Sequence, residues 1–161
     1  MSKSFDIEFS GSLQDVLLFD EGRFYAKVEE KMSMIMDRLH EKITGEKLSG
    51  QVLNRRTGRL AASVSEPGVS RDGSIITGEI TAGEGVPYAL PHEYGGRASY
   101  TIRTVDKRAL RMLIGGKELF RRMVEHKPAI KRSYFYSAVD EMRDEFKEAL
   151  REACVEGISG E

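Results

Sequence analysis

Six apolar side chains, Phe24, Val28, Met32, Ile35, Leu39 and Ile43, recur at spacings of three and four. That period commits this part of the chain to an amphipathic helix with one buried stripe. Asp20 stands just ahead of it as an N-cap, where a side-chain oxygen can accept from the unpaired N–H groups of the first turn. Gly45 and the Gly50 region supply the stop, so the spacing predicts a helix over residues 21–44. A second stripe, Ala138, Met142, Phe146, Ala149, Leu150 and Ala153, follows Pro128 and predicts a helix over 134–155. Between the two lies a β-branched, glycine-punctuated middle, and the order is helix, sheet, helix.

The opening Phe5-Asp6-Ile7-Glu8-Phe9 alternates apolar and acidic residues, the period of a strand, so residues 1–19 read as an arm or edge strand, with Leu13 to Phe19 a brief helical turn. Leu60, Ala62 and Val64 alternate with Arg59, Ala61, Ser63 and Ser65 and suggest a strand; Ser74 to Ala82 suggests its antiparallel partner, with a loop around 66–73. Pro91 and Gly95-Gly96 turn the stretch from Val86 to Gly96 into a shaped loop or short helical turn. Tyr100, Ile102 and Thr104 have period two. Leu110, Met112 and Ile114 alternate with Arg111 and Leu113, and Leu119 to Val124 follow Gly115-Gly116. Gly-Gly between two apolar runs signals a hairpin. The Arg, Leu, Met, Lys and Glu content suits a helix equally, and the local pattern leaves both open. Residues 58–126 form the sheet region with long loops, and 157–161 a tail expected to fray.

With 161 residues the chain is the length of one domain with one modest core. Its longest apolar runs fall far short of the ~20 residues that cross a bilayer. Asp6, Glu8 and Ser10 interrupt any signal-peptide core behind Lys3, so the protein is expected to stay where it is made. Cys154, the single cysteine, sits among apolar positions of the second helix and reads as a small buried or interfacial side chain. A net charge of −1 argues against general nucleic-acid affinity. The average hides an asymmetry. Arg103, Lys107, Arg108, Arg111, Lys117, Arg121, Arg122, Lys127, Lys131 and Arg132 stand against only Asp106, Glu118 and Glu125. From Asp140 to Glu161 the balance reverses, so one half could attract the other half of a neighbouring copy.

His92-Glu93 is the sharpest hint of chemistry. Adjacent side chains project in different directions, and a zinc-protease signature would need a second His where Gly96 stands. His40 and His126 have no partner at ligand spacing. No Gly-x-Ser-x-Gly elbow or phosphate loop is present, and Gly115-Gly116-Lys117 is too short to cradle a nucleotide. No catalytic residue, metal ligand or cofactor is expected. At Thr57-Gly58, glycine permits positive φ while the Thr hydroxyl can bond nearby backbone, crowding Arg55, Arg56 and Arg59 at one corner. Those guanidinium groups could grip a neighbour's carboxylate or a DNA phosphate. A nucleic-acid-binding module and a small hydrolase built on His92 and Glu93 are the competing readings.

Three segments, taken in order, resemble a known family. They are Leu53 to Ser63 (Leu-x-x-Arg-Thr-Gly-x-Leu-x-x-Ser), Tyr88 to Gly95 (Tyr-Ala-x-x-His-Glu-Tyr-Gly), and Ala109 to Arg132 with its Gly-Gly-Lys and late His, followed by a closing helix. The series is similar to the tail-completion and head-tail connector proteins of tailed bacteriophages and prophages, also called minor tail or virion morphogenesis proteins, over roughly residues 40–155. Where the family often has Pro-Gly after the late His, this chain has Lys127-Pro128.

The resemblance implies an α+β subunit, a mostly antiparallel sheet flanked by a long N-terminal and a C-terminal helix, with 109–124 a hairpin. It also implies a homo-oligomeric ring, a hexamer, at the virion neck. Its partners would be portal-side and tail-tube proteins, with passive proximity to DNA in the channel and no membrane. Assembly would take place in the host cytoplasm. On that reading Arg56, Thr57, Gly58, Arg59, Tyr88, His92, Glu93, Tyr94, Gly95, Gly115 and Gly116 determine shape or assembly. Arg103, Arg108, Arg111, Arg121, Arg122 and Arg132 form a basic interface.

Overall fold

A computed structural model describes residues 5–7, 20–96 and 98–159. The rest of the expected N-terminal arm, Leu13 to Phe19 included, lies outside the described residues, as do 160 and 161. The fold is α+β. Helix α1 (Glu21–Glu41) starts where the Asp20 carboxylate accepts from the Arg23 N–H at 3.1 Å. Its stripe buries Phe24, Val28, Met32, Ile35, Met36 and Leu39, each worth about 1.5–3 kcal/mol of apolar transfer when fully buried. Strands β1 (Phe5–Ile7), β2 (Gly68–Asp72) and β3 (Ile75–Glu79) form an antiparallel sheet in the order β1-β3-β2. That sheet packs on one side of α1. Gly78 allows the approach, since a Cβ there would stand 3.1 Å from Met36 Sδ, and Arg71 of β2 stacks 3.8 Å over the Tyr25 ring.

The short helix α2 (Ala89–Tyr94) precedes four strands, β4 (Tyr100–Arg103), β5 (Leu110–Ile114), β6 (Lys117–Arg121) and β7 (Met123–His126). Helices α3 (Phe135–Glu141) and α4 (Arg143–Ser159) close the chain. Helix α4 runs antiparallel to α1, with Arg38 paired to Glu145, Lys31 to Glu152, and Gly157 against Phe24. A Cβ on Gly157 would come within 2.8 Å of the Phe24 ring, so the glycine sets the closeness of that crossing. Phe146, Leu150 and Ala153 complete the core from α4, and Cys154 packs half-buried beside them, its thiol pKa raised by burial.

Four local expectations need correction. Gly45 does not stop the first helix: the chain continues as a π-helical segment (Lys42–Gln51) and breaks at Gly50, whose φ of 141° lies outside helical space. Residues 60–65 are not a strand. Leu60, Ala61 and Val64 are buried while Ala62 is exposed, a helical spacing that the 3-10 turn at Ala61–Ser63 fits and a strand does not. The first strand of the pair is β2, within the stretch read as loop, because Asp72 pairs Ile75 around a tight turn at Gly73. The closing helix is two helices split at Met142, and helix persists to Ser159 where fraying was expected from residue 157.

The hairpin reading of 109–124 holds over a longer span. Ile114 pairs Lys117 across Gly115 (φ 59°) and Gly116 (φ 79°), the two consecutive positive φ values of the turn that matches strand twist. The same ribbon continues in β4 and β7, where Tyr100 pairs His126 and Arg103 pairs Met123. Among the described residues the antiparallel structure is therefore three small sheets: one on α1 and two that make a long two-part ribbon over residues 100–126.

Candidate assembly site: an arginine-lined cleft and an unsupported ribbon

The loop that carries His92 and Glu93 is shaped by what Glu93 touches. Its side chain is fully buried, and its carboxylate accepts from Tyr134 N (2.9 Å), Phe135 N (3.0 Å) and Tyr136 N (3.0 Å), and from the Ser133 hydroxyl. Glu93 thus serves, from a distant part of the chain, as the cap of α3, satisfying N–H groups that no helical carbonyl can reach. Burying a carboxylate is costly unless it is paired and hydrogen-bonded, and here four donors converge on it.

The backbone reinforces the join. Arg132 N donates to His92 O at 2.7 Å and Gly96 N to Ala129 O at 2.9 Å. A Cβ on Gly96 would stand 2.6 Å from Ala129 N, so the close approach of the Ala129 segment requires glycine. Tyr94 donates to the Tyr136 hydroxyl at 2.9 Å, and that bond, with burial second, pushes the Tyr94 phenol up to about 12.

Glu93 turned inward leaves His92 facing elsewhere. Its ring lines a cleft of about 560 Å³ together with Leu48, Leu53, Asn54, residues 55–61, Tyr88 and Arg132. The Gly58 corner has φ 74°, Ala62 N donates to Gly58 O at 2.8 Å, and Arg59 reaches across to Gly85 O at 2.7 Å. The Thr57 hydroxyl accepts weakly from Arg59 N at 3.5 Å. Four arginines, Arg55, Arg56, Arg59 and Arg132, line the walls, and no carboxylate does. His92 Nδ1 is buried with no hydrogen-bond partner among the described residues. Desolvation, then the Arg132 charge, lowers the pKa of that ring, so it is neutral at neutral pH. The pair is not arranged for shared proton transfer or metal ligation, because the Glu93 oxygens are occupied at α3.

The structure therefore brings Arg56, Thr57, Gly58, Arg59, Tyr88, His92 and Arg132 together. It places Glu93, Tyr94 and Gly95 behind them as the support. Gly115 and Gly116 stand apart, at the tip of the ribbon. Arg103, Arg108, Arg111, Arg121 and Arg122 lie along that ribbon, exposed, with Arg111 paired to Glu118. Arg132 belongs to the cleft instead.

One ion pair with a buried lysine was not anticipated. Lys47, 3% exposed, donates to Glu141 at 2.5 Å, and Lys42 lies 3.3 Å from the same carboxylate. Hydrogen bonding to Lys47 is the main cause of the lowered Glu141 pKa. The signal was present, since Leu39, Ile43 and Lys47 continue the inward spacing of α1.

The ribbon differs from everything else in the subunit. No apolar residue from 98 to 132 belongs to the buried core or to the partly buried apolar residues packed against it, and neither ladder makes substantial contact with another described element. Both faces carry apolar side chains: the register puts Met112 opposite Leu119 on one face, and Leu113 and Phe120 on the other. Leu113, Ile114, Phe120 and Met123 are all more than half exposed.

Neither a scan against protein-family models nor searches of curated proteins and of solved structures returned a match. Among the described residues no helix is long and apolar enough to cross a membrane.

Proposed function

We propose that this chain is a non-enzymatic structural subunit of a tailed phage or prophage virion, forming a ring, a hexamer, at the neck or head-proximal end of the tail and joining tail to head. The observation that carries the assembly part is the ribbon over residues 100–126, apolar on both faces and unsupported by its own subunit. An isolated two-stranded ribbon is marginally stable in water at best, and contiguous exposed apolar surface marks an interaction site. A neighbour that covers the ribbon supplies what the subunit lacks. The virion assignment draws on the ordered resemblance of the Leu53–Ser63, Tyr88–Gly95 and Ala109–Arg132 segments. Portal-side and tail-tube proteins are the proposed neighbours.

Inactivating the gene should yield separate heads and tails under the electron microscope; normal infectious particles would refute the assignment. A sharper form replaces residues 105–121 by a short turn. The body should keep its melting temperature within a few degrees, since none of its core comes from the ribbon, yet the shortened chain should fail to restore infectious particles. Full complementation by that chain would remove the ribbon from the mechanism.

A further inference from the structure

The cleft and the outer ridge of α4 have complementary charge and are separate surfaces of the subunit. Arg55, Arg56 and Arg132 are exposed, and no carboxylate lies within ion-pair distance of them among the described residues. The cleft floor is apolar, formed by Leu48, Leu53, Leu60 and Ala61. Unbalanced guanidinium groups over an apolar floor suit a carboxylate carried on a methylene stem, which can rest its stem on the leucines while each oxygen takes a forked N–H pair. A rigid duplex backbone makes no use of such a floor.

On α4, Glu148, Glu152 and Glu156 are four residues apart and so share one ridge of the helix. They span ~12 Å. Glu148 is held by Arg151 at 2.7 Å and Glu152 by Lys31 at 3.5 Å, with the acidic side chains 59% and 56% exposed. Exposed pairs of this kind are weak, ~0–1 kcal/mol, and are readily exchanged. Because α4 runs antiparallel to α1, this ridge extends toward the Phe24 end of the body, as the Gly157–Phe24 contact shows. The cleft begins at Leu48, beyond the opposite end of α1, whereas the Lys31–Glu152 pair at the middle of the ridge sits ~15 Å short of that end. Within the subunit the ridge pairs with Lys31 and Arg151, and none of its carboxylates pairs with a cleft arginine among the described residues.

We infer that the Arg55–Arg56–Arg132 cleft receives the Glu148–Glu152–Glu156 ridge of a second copy of this chain, a head-to-tail contact in which each subunit offers one half of the pair. Such a heterologous contact generates a ring when its rotation closes and a filament when it does not. The inference rests on the self-assembly part of the function proposed above. The two fail separately, because normal particles from an inactivated gene sink the virion assignment and leave this pairing standing.

The test is sedimentation velocity of the full chain at low and high ionic strength. Wild type should self-associate at low ionic strength and dissociate as salt rises. Arg55→Glu with Arg56→Glu, and separately Glu148→Lys with Glu156→Lys, should each weaken association by ~10-fold or more. Mixing the two reversed variants should restore a heterodimer that neither forms alone, with circular dichroism melts confirming that both are folded. A chain that stays monomeric at low ionic strength overturns the inference, as does self-association that neither reversal weakens. Retention of a labelled DNA duplex that is lost in Arg55→Glu with Arg56→Glu, while self-association is unchanged, also overturns it and assigns the cleft to phosphates.

Discussion

The helical body and the ribbon are built from the same kinds of residue and solve opposite problems. In the body, Phe24, Leu39, Phe135 and Val139 find apolar neighbours from several parts of the chain and are almost wholly hidden. In the ribbon, Leu113, Phe120 and Met123 face water although each strand is paired along one edge. Strand pairing satisfies backbone hydrogen bonds without burying side chains; only a second layer does that. The body has its layers, and the ribbon still needs one.

Substitutions should expose this contrast most strongly in the core. Phe135→Ala should lower unfolding free energy by about 3–5 kcal/mol through lost burial and a cavity, whereas Phe120→Ser on the ribbon should change it by less than ~0.5 kcal/mol. Chemical denaturation of the two variants decides the matter, and equal costs would mean that the ribbon packs on the body in solution. Glu93→Ala strips the cap of α3 and leaves three backbone N–H groups and the Ser133 hydroxyl without an acceptor, the Tyr134 and Phe135 N–H groups buried. A loss of about 3 kcal/mol is expected, with Glu93→Gln recovering part of it.

Glu141→Gln should cost about 2 kcal/mol, below the full penalty for stranding a buried charge because Glu141 is itself half exposed. Tyr134→Phe should move the other way and stabilise by about 1 kcal/mol, since the Tyr134 hydroxyl is buried with no hydrogen-bond partner among the described residues. A lower melting temperature for that variant would mean that a bound water satisfies the hydroxyl.

The smallest expected effect is the pH dependence. The folded pKa values of His92 and Glu141 both lie below their ordinary values of 6.5 and 4.5. For each, the unfolded chain binds the proton more readily, so stability is fully present above the ordinary value and is lost as pH falls through the folded one. The melting temperature should be level from pH 7 to about 8, dip slightly below 6.5 and fall further below 4.5. His92→Gln should flatten the first step only.

Much of this architecture was legible in the residues. The α1 stripe, the Gly115-Gly116 turn and the Arg55 to Arg59 corner each rest on a local rule, spacing or backbone permissiveness, that no tertiary contact has to ratify. The errors fell where a local rule met a stronger non-local one. Alternation at residues 60–65 gave way to burial at a helical spacing, and Gly45 was carried through by the inward pull of Lys47 and Leu48. His92-Glu93 was noticed as a pair, but its separation into a cleft-lining ring and a helix cap depended on Ser133 to Tyr136, some forty residues away.

Local order, then, was written in the chain: where helices run, where the ribbon turns, and where positive and negative charge collect, because each depends on neighbours within a few residues. The folded molecule alone decided which of those pieces meet. It set Arg132 beside Arg55, turned Glu93 inward to α3 and left the ribbon uncovered, since contacts between distant segments follow from which apolar surfaces the single core can accommodate.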